Sequence, residues 1–258
     1  MSEFRSDAAP PEEPALTPAR TMAVEDALNL LAHGSLSIEG RLVDASNATL
    51  YCGVELDGVE AACVYKPVSG ERPLWDFPDG TLAEREVAAY ELSAASEWLV
   101  VPPTLYRDGP AGPGMVQLWI DIDDEVDLIG LLRTRRSEQL REIAVFDAVI
   151  NNADRKGGHL LPTASGHIYG IDHGVSFNRE PKLRTILWQW AGDQLTDVAV
   201  DQLQRLREKM AGDLGERLSE LLTTREVRQT TRRINALIES GRHPEPSPDW
   251  PAIPWPPM

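Results

Sequence analysis

Lysine is almost missing from this chain. Lys66, Lys156, Lys182 and Lys209 are the only ones among 258 residues, so arginine carries nearly all the positive charge and each lysine asks for a reason. Positive charge is itself scarce: 25 Lys and Arg stand against 41 Asp and Glu, a net charge of -16. Nucleic acid is bound through clustered Lys and Arg that neutralise phosphates, and steady adhesion to an anionic membrane uses the same kind of cluster. Neither partner fits this balance. No apolar run approaches the roughly eighteen residues of a membrane span. The stretch from Met1 to Ala19 is acidic and Pro-rich and has no apolar segment of the sort a secretion signal needs, so a cytoplasmic address is expected. There is no His and Cys cluster with zinc spacing, no Gly-x-Ser-x-Gly elbow and no Walker loop. The two cysteines, Cys52 and Cys63, flank an Asp57-Gly58 turn. A type I′ hairpin there places them opposite each other. In a reducing compartment two small buried thiols are the expectation rather than a disulfide.

What is present reads as an α+β chain. Residues 1–20 have the composition of a disordered tail. Thr21 can cap a helix to about Ala32 that Gly34 stops. Strand-like runs follow over Ser37–Val43, Ala48–Leu56 and Val59–Tyr65, joined by Asp44-Ala45-Ser46-Asn47 and by Asp57-Gly58. Thr81 and Glu84 have the spacing of a capping box for a helix to about Trp98. Val100–Leu105 and Met115–Ile120 read as further strands. A helix capped by Ser137 is expected to about Asn151. Leu160-Leu161 and His167–Ile171 then suggest a short hairpin, and helices are expected over 198–210, 214–222 and 225–240. The organisation is a disordered tail (1–20), a small antiparallel-sheet lobe with a leading helix (21–118), a mostly helical lobe (119–242) and a Pro- and Trp-rich tail (243–258). A hinge falls near Leu118 to Asp124. This two-lobed, protein-kinase-like plan binds a ligand at the seam.

Two short strings carry candidate chemistry. Asn152-Ala153-Asp154-Arg155 follows a helix, and Ile171-Asp172-His173-Gly174 follows a strand. Phosphoryl transfer separates its working carboxylates in this way, one to orient the attacking hydroxyl and one to hold a cation against nucleotide phosphates. Asp154 takes the first role and Asp172 the second. Behind Asp154, Arg155 and Lys156 bring positive charge, and Gly157-Gly158 lets backbone approach a phosphate closely. Lys66 ends a strand whose alternation puts Val64 on the same face. There it would neutralise phosphates while Val64 packs on the base. Glu86 is the suggested partner of Lys66, because Glu84 is absorbed by the capping box. His159 stands five residues after Asp154, where a second metal ligand is expected, and imidazole suits softer metals than magnesium. His173 is expected to be structural.

At these residues the chain resembles the phosphatidylinositol 3-/4-kinase superfamily, most nearly its type II 4-kinase branch and actinobacterial relatives. Four stretches carry the resemblance in order. They are Glu86-Val87-Ala88-Ala89-Tyr90 with Val101-Pro102-Pro103-Thr104; Gln117-Leu118-Trp119-Ile120; Phe146-Asp147-Ala148-Val149-Ile150-Asn151-Asn152-Ala153-Asp154-Arg155; and Ile171-Asp172-His173-Gly174-Val175-Ser176-Phe177. The resemblance covers roughly residues 37–195. The resemblance implies a Lys66–Glu86 ion pair, a catalytic Asp154 with Arg155 beside it, and a metal-binding Asp172. It also implies an ATP site formed with Val64, the hinge residues Gln117, Leu118 and Trp119, and Ile171. Ser46 would lie in the phosphate loop, which is not glycine-rich. The departure is His159, where that family usually has asparagine.

The function expected is an ATP- and magnesium-dependent kinase, with manganese as the other candidate cation. Its acceptor would be a hydroxyl on a small molecule, lipid or protein. A phosphoinositide acceptor fits poorly, since there is no palmitoylation-type cysteine cluster and no basic amphipathic helix. HipA-type protein kinases share the general plan and keep a Ser/Thr protein acceptor in view. The alternatives are a nucleotide-binding pseudokinase module, which His159 favours, and transfer of AMP instead of phosphate. Trp250, Trp255 and the prolines around them read as a tail, docked, loose or offered to a partner in extended form.

Overall fold

The computed structural model describes residues 22–42 and 48–258. The readings placed on residues 1–20, on the Thr21 cap and on Ser46 with its connection fall outside those residues. In chain order the elements are α1 (Val24–His33), β1 (Ser35–Arg41), β2 (Leu50–Leu56), β3 (Val59–Pro67), α2 (Leu82–Ser96), β4 (Thr104–Gly109), β5 (Gly112–Leu118), α3 (Leu128–Leu132), α4 (Glu138–Ile150), β6 (Leu160–Pro162), β7 (Ile168–Gly170), α5 (Asp197–Met210), α6 (Asp213–Leu221) and α7 (Thr224–Ser240).

The β2–β3 hairpin turns on Asp57 and Gly58, both at positive φ (52° and 79°), the backbone that a type I′ turn demands. The register sets Cys52 opposite Cys63, and both are free, buried thiols. The sheet is antiparallel with strand order β1-β2-β3-β5-β4. Its alternation on β3 is clear: Cys63, Tyr65 and Pro67 are buried while Val64 and Lys66 are only partly covered. Cys63 and Tyr65 pack with Leu30 and Leu31 of α1 and Val116 of β5. Arg107 closes the C-terminus of α1, donating to the carbonyls of Leu31 and Gly34 at 2.7 and 2.9 Å. Gly34 is required by proximity, since a Cβ there would lie 2.6 Å from both Leu30 O and Val54 Cγ2.

Helix α2 is apolar around most of its circumference, as a helix enclosed on several sides must be. Ala83 and Val87 meet Met115 of the sheet. Ala88, Ala89 and Leu92 join the main core with Phe146 and Ile150 of α4, Leu203 of α5, Leu218 of α6 and Ile234 of α7. One helix therefore belongs to both lobes.

Three expectations shift. The strand read over Val100–Leu105 begins instead at Thr104, because Pro102 and Pro103 have no N–H for a ladder, and Val100 and Val101 are drawn into the helical core. Its partner spans Gly112–Leu118 and closes a two-residue turn between Gly109 and Gly112. The connector holds a short helix, α3, that was not expected; Asp127 caps it by accepting from Gly130 N. No helix among the described residues is long and apolar enough to cross a membrane.

The Pro- and Trp-rich segment after α7 lies on the helical lobe. Ala252 O accepts from Thr185 N and from Trp188 Nε1 at 3.1 and 2.8 Å, and Pro257 O accepts from Gly157 N at 2.8 Å.

Candidate active site

Where β3 leaves the sheet, Lys66 projects into a cavity of about 510 Å³ between the lobes. Its walls include Val64, Leu118, Trp119, Ile171 and Asp172, and Thr49, Leu161 and His159 extend them. Gln117 also lines it, but its amide is committed to Thr104 Oγ1 at 2.8 Å. Trp119 is steadied edge-on by Tyr51, ring centres 5.0 Å apart.

Lys66 Nζ stands 2.6 Å from Glu86 Oε1 and 2.8 Å from Asp172 Oδ1. Glu86 reaches it from the first turns of α2 and is buried (2% exposed). Its other oxygen, Oε2, accepts from His173 N at 2.8 Å, which ties the carboxylate to the residue after Asp172. Thr81 and Glu84 do not form the expected capping box. Thr81 Oγ1 donates to Pro78 O, and the first free amides of α2, those of Leu82 and Ala83, donate to the carboxylate of Glu71 at 3.1 and 2.8 Å. A full carboxylate at a helix N-terminus satisfies two orphan donors and the helix dipole together, and it displaces the local cap.

The electrostatics follow from this geometry. Burial works against the Lys66 charge, but Asp172 and Glu86 outweigh it and hold the ammonium above its ordinary pKa. Lys66 pulls Asp172 well below the usual carboxylate range, against the effect of burial. Burial pushes Glu86 up in spite of Lys66. Asp172 has φ 61°, a left-handed backbone that Asp tolerates better than most residues. The chain is gripped on either side of it: Ile171 O accepts from Arg155 Nη1 at 3.0 Å, and His173 N is held by Glu86.

Asp154 sits in the loop after α4, where Asn151 ends the helix at φ 54°. Its amide donates to Asn152 Oδ1 at 3.0 Å, and its carboxylate meets Lys156 Nζ at 3.0 Å. It does not join the Lys66 cluster by any hydrogen bond or ion pair among the described residues. His159 stands beside Asp172 and feels the charge of Asp154 as well. Its Nε2 is 3.4 Å from Asp172 Oδ2, burial lowers its pKa, and Asp172 and Asp154 both act in the opposite sense. Its Nδ1 is buried without a partner among the described residues. Among those residues, no group of three or more His, Cys, Asp or Glu is placed to hold a metal ion.

Arg155 does not bring its charge to the loop surface. Its guanidinium is fully buried against Asp147, with Nη2–Oδ1 at 2.9 Å and 0% exposure on both sides. It also donates to the carbonyls of His159 and Ile171 and touches His173 Nε2 at 2.6 Å. It braces Asp172 from behind. Asp147 is the residue that sequence reasoning passed over, and the signal was a carboxylate inside the apolar helical run Phe146–Ile150. A buried carboxylate without a cation is expensive, and Arg155 supplies the cation while Asn152 Nδ2 donates to Oδ1 at 3.0 Å. His173 is buried and its pKa lies well below the ordinary value, chiefly through burial and then through Arg155. It is therefore neutral, with Nε2 as the acceptor for Arg155.

This is a protein-kinase-like fold. Over 84% of this chain and 75% of the other, it superposes on the crystal structure of the Golgi casein kinase with a TM-score of 0.52 and 13% identity. A further solved structure, the Helicobacter pylori proinflammatory kinase CtkA, aligns over 82% of this chain and 94% of its own with a TM-score of 0.47 and 10% identity, too weak a likeness to bear on the fold. No family model matches the chain. In sequence the chain is 41% identical, over 266 aligned positions covering 90% of this chain and 95% of the relative, to protein Rv2133c of Mycobacterium tuberculosis (strain ATCC 25618 / H37Rv). The chain belongs to the family of that protein.

Proposed function

We propose that this protein is a phosphotransferase that moves the terminal phosphoryl group of ATP to a hydroxyl, using magnesium or manganese. One observation carries the reading: a single ammonium group, Lys66 Nζ, is held between Glu86 and Asp172 beside an apolar cavity at the seam of a kinase-like fold. Val64, Leu118 and Ile171 supply flat apolar walls for a nucleobase. Lys66 is the cation for the α and β phosphates, and Glu86 fixes its position. Ser46, expected in the phosphate loop, lies outside the described residues.

Asp172 suits a cation that arrives with the nucleotide. Magnesium usually takes one or two carboxylates together with substrate phosphates rather than a dedicated protein cage. Here one carboxylate, 42% exposed, lines the cavity, with neutral His159 beside it. Bound there, the ion would neutralise charge on the phosphoryl oxygens as transfer proceeds. Asp154 orients the acceptor hydroxyl, and Lys156 adds positive charge next to it. Arg155 acts through others, by fixing the backbone of Ile171 and His159. A loose transition state needs little more than such positioning and charge. The finer kinship, with the phosphatidylinositol 3-/4-kinase superfamily, is supported by the four ordered stretches of sequence.

The second reading, a nucleotide-binding pseudokinase, is favoured by His159 standing beside Asp172 where that family usually has asparagine. Transfer of radiolabelled γ-phosphate with magnesium separates the two. The intact chain is expected to turn over, and Asp154→Asn to lose about a hundredfold or more of the rate. Equal turnover in the variant would defeat the assignment of Asp154, and binding without turnover would favour the pseudokinase.

A further inference from the structure

Residues 250–258 lie along a row of hydrogen-bond donors that ends at the catalytic loop. Thr185 N and Trp188 Nε1 donate to Ala252 O at 3.1 and 2.8 Å. Arg184 Nη2 reaches Ile253 O at 3.4 Å. Gly157 N, three residues beyond Asp154, donates to Pro257 O at 2.8 Å. At its start, the Trp250 ring lies 4.8 Å from Lys182 Nζ, and Lys182 is itself paired with Asp76. The contacts run one way, from the lobe to carbonyls of the segment. Pro251, Pro254, Pro256 and Pro257 have no N–H to offer in return, so a Pro-rich segment that presents its carbonyls matches the row.

Two further observations say what the contact does. Gly157 and Gly158 are where backbone can approach a phosphate or an acceptor, yet the Gly157 amide is taken by Pro257 and Met258 packs above it; a Cβ at Gly157 would lie 2.2 Å from Met258 Sδ. The segment Trp250-Pro251-Ala252-Ile253-Pro254-Trp255-Pro256-Pro257-Met258 also contains no Ser, Thr or Tyr. It presents a polypeptide backbone to the loop without a hydroxyl.

We propose that this row of donors is built for a polypeptide backbone, that a hydroxyl-bearing polypeptide is the acceptor, and that residues 250–258 are the row's intramolecular occupant and hold the acceptor side of the site closed. The proposal rests on the phosphotransferase reading and deepens it.

The test replaces residues 244–249 by a site-specific protease sequence, so that the chain folds intact and is cut afterwards. Transfer from Mg-ATP to myelin basic protein and to glycerol is measured before and after cutting and removal of the segment. Binding of a fluorescein-labelled peptide of residues 247–258 to the cut protein is followed by anisotropy. The proposal expects a severalfold gain on myelin basic protein, no gain on glycerol, and a peptide that binds the cut protein and inhibits transfer. Trp188→Phe, which removes one donor, should weaken binding of the peptide to the cut protein. A peptide that does not bind, or unchanged or reduced transfer to myelin basic protein after cutting while Mg-ATP binding persists, would overturn this proposal alone. Absence of calorimetric Mg-ATP binding before and after cutting would overturn the phosphotransferase reading and this proposal with it.

Discussion

Each of the four lysines has a partner: Lys66 has Glu86 and Asp172, Lys156 has Asp154, Lys182 has Asp76, and Lys209 donates to Ala95 O. Three of the four lie in or beside the candidate site or the row of donors that ends at the catalytic loop. The neutral, buried histidines set a pH dependence at the same scale. His173 is held well below 6.5 and His159 below it, while His243 is lowered to about 4 by burial and then by Arg141. For a base whose folded pKa is depressed, the unfolded chain binds the extra proton between the two values. Stability is then complete above about 6.5 and falls as pH drops, by at most about 1.4 kcal/mol per pH unit for each group. Asp172 adds a loss only at much lower pH, below its unfolded value of 3.8. Urea unfolding at pH 7 and pH 5 should therefore show a lower midpoint at pH 5, with a smaller drop in His243→Phe. A drop no smaller in His243→Phe than in the intact chain would contradict the neutral assignment of His243.

Helix α2 is the element on which the site turns, because it is packed into both lobes. Arg85 anchors it: the guanidinium pairs with Glu226 of α7, donates to Ser176 O at 2.8 Å and lies over the Phe77 ring. Glu86, the next residue, reaches the opposite lobe through Lys66. Arg85→Leu would leave Glu226 buried without its cation and should cost about 3–5 kcal/mol in urea unfolding, with part recovered by adding Glu226→Gln. A loss under about 1 kcal/mol would mean that Arg85 is not the anchor. At this scale the sequence was readable where the cause is local. The Asp57-Gly58 turn, the Ser137 cap on α4 and the periodic faces of α5 to α7 follow from neighbouring residues. It was not readable where the cause is remote. Thr81-x-x-Glu84 and Thr223-x-x-Glu226 have the same spacing, yet only the second forms a capping box, because Glu71 reaches the start of α2 first. Nothing near Asp147 in the chain says that Arg155 will turn inward to meet it.

Across the whole molecule, the two-lobed order of sheet, connector and helices was visible from strand alternation and helical periodicity. A Lys66–Glu86 pair was expected, and so was the meeting of Asp154 and Asp172 beneath Lys66; Glu86 and Asp172 reach Lys66, which lies 106 residues from Asp172 in the chain, whereas Asp154 pairs with Lys156. The docking of residues 250–258 on the catalytic loop was left open, since a Pro-rich segment has no period and its position is fixed by donors elsewhere. The left-handed Asp172 was also hidden, because its backbone depends on Arg155 and Glu86 at once.

The most direct measurement is calorimetric titration of ATP, with and without magnesium, into the intact chain, Lys66→Met and Asp172→Asn. The account predicts magnesium-dependent binding to the intact chain, binding weakened at least about tenfold, or about 1.4 kcal/mol, in Lys66→Met, and loss of the magnesium dependence in Asp172→Asn. Equal ATP affinity in all three proteins, or none in the intact chain, would contradict it.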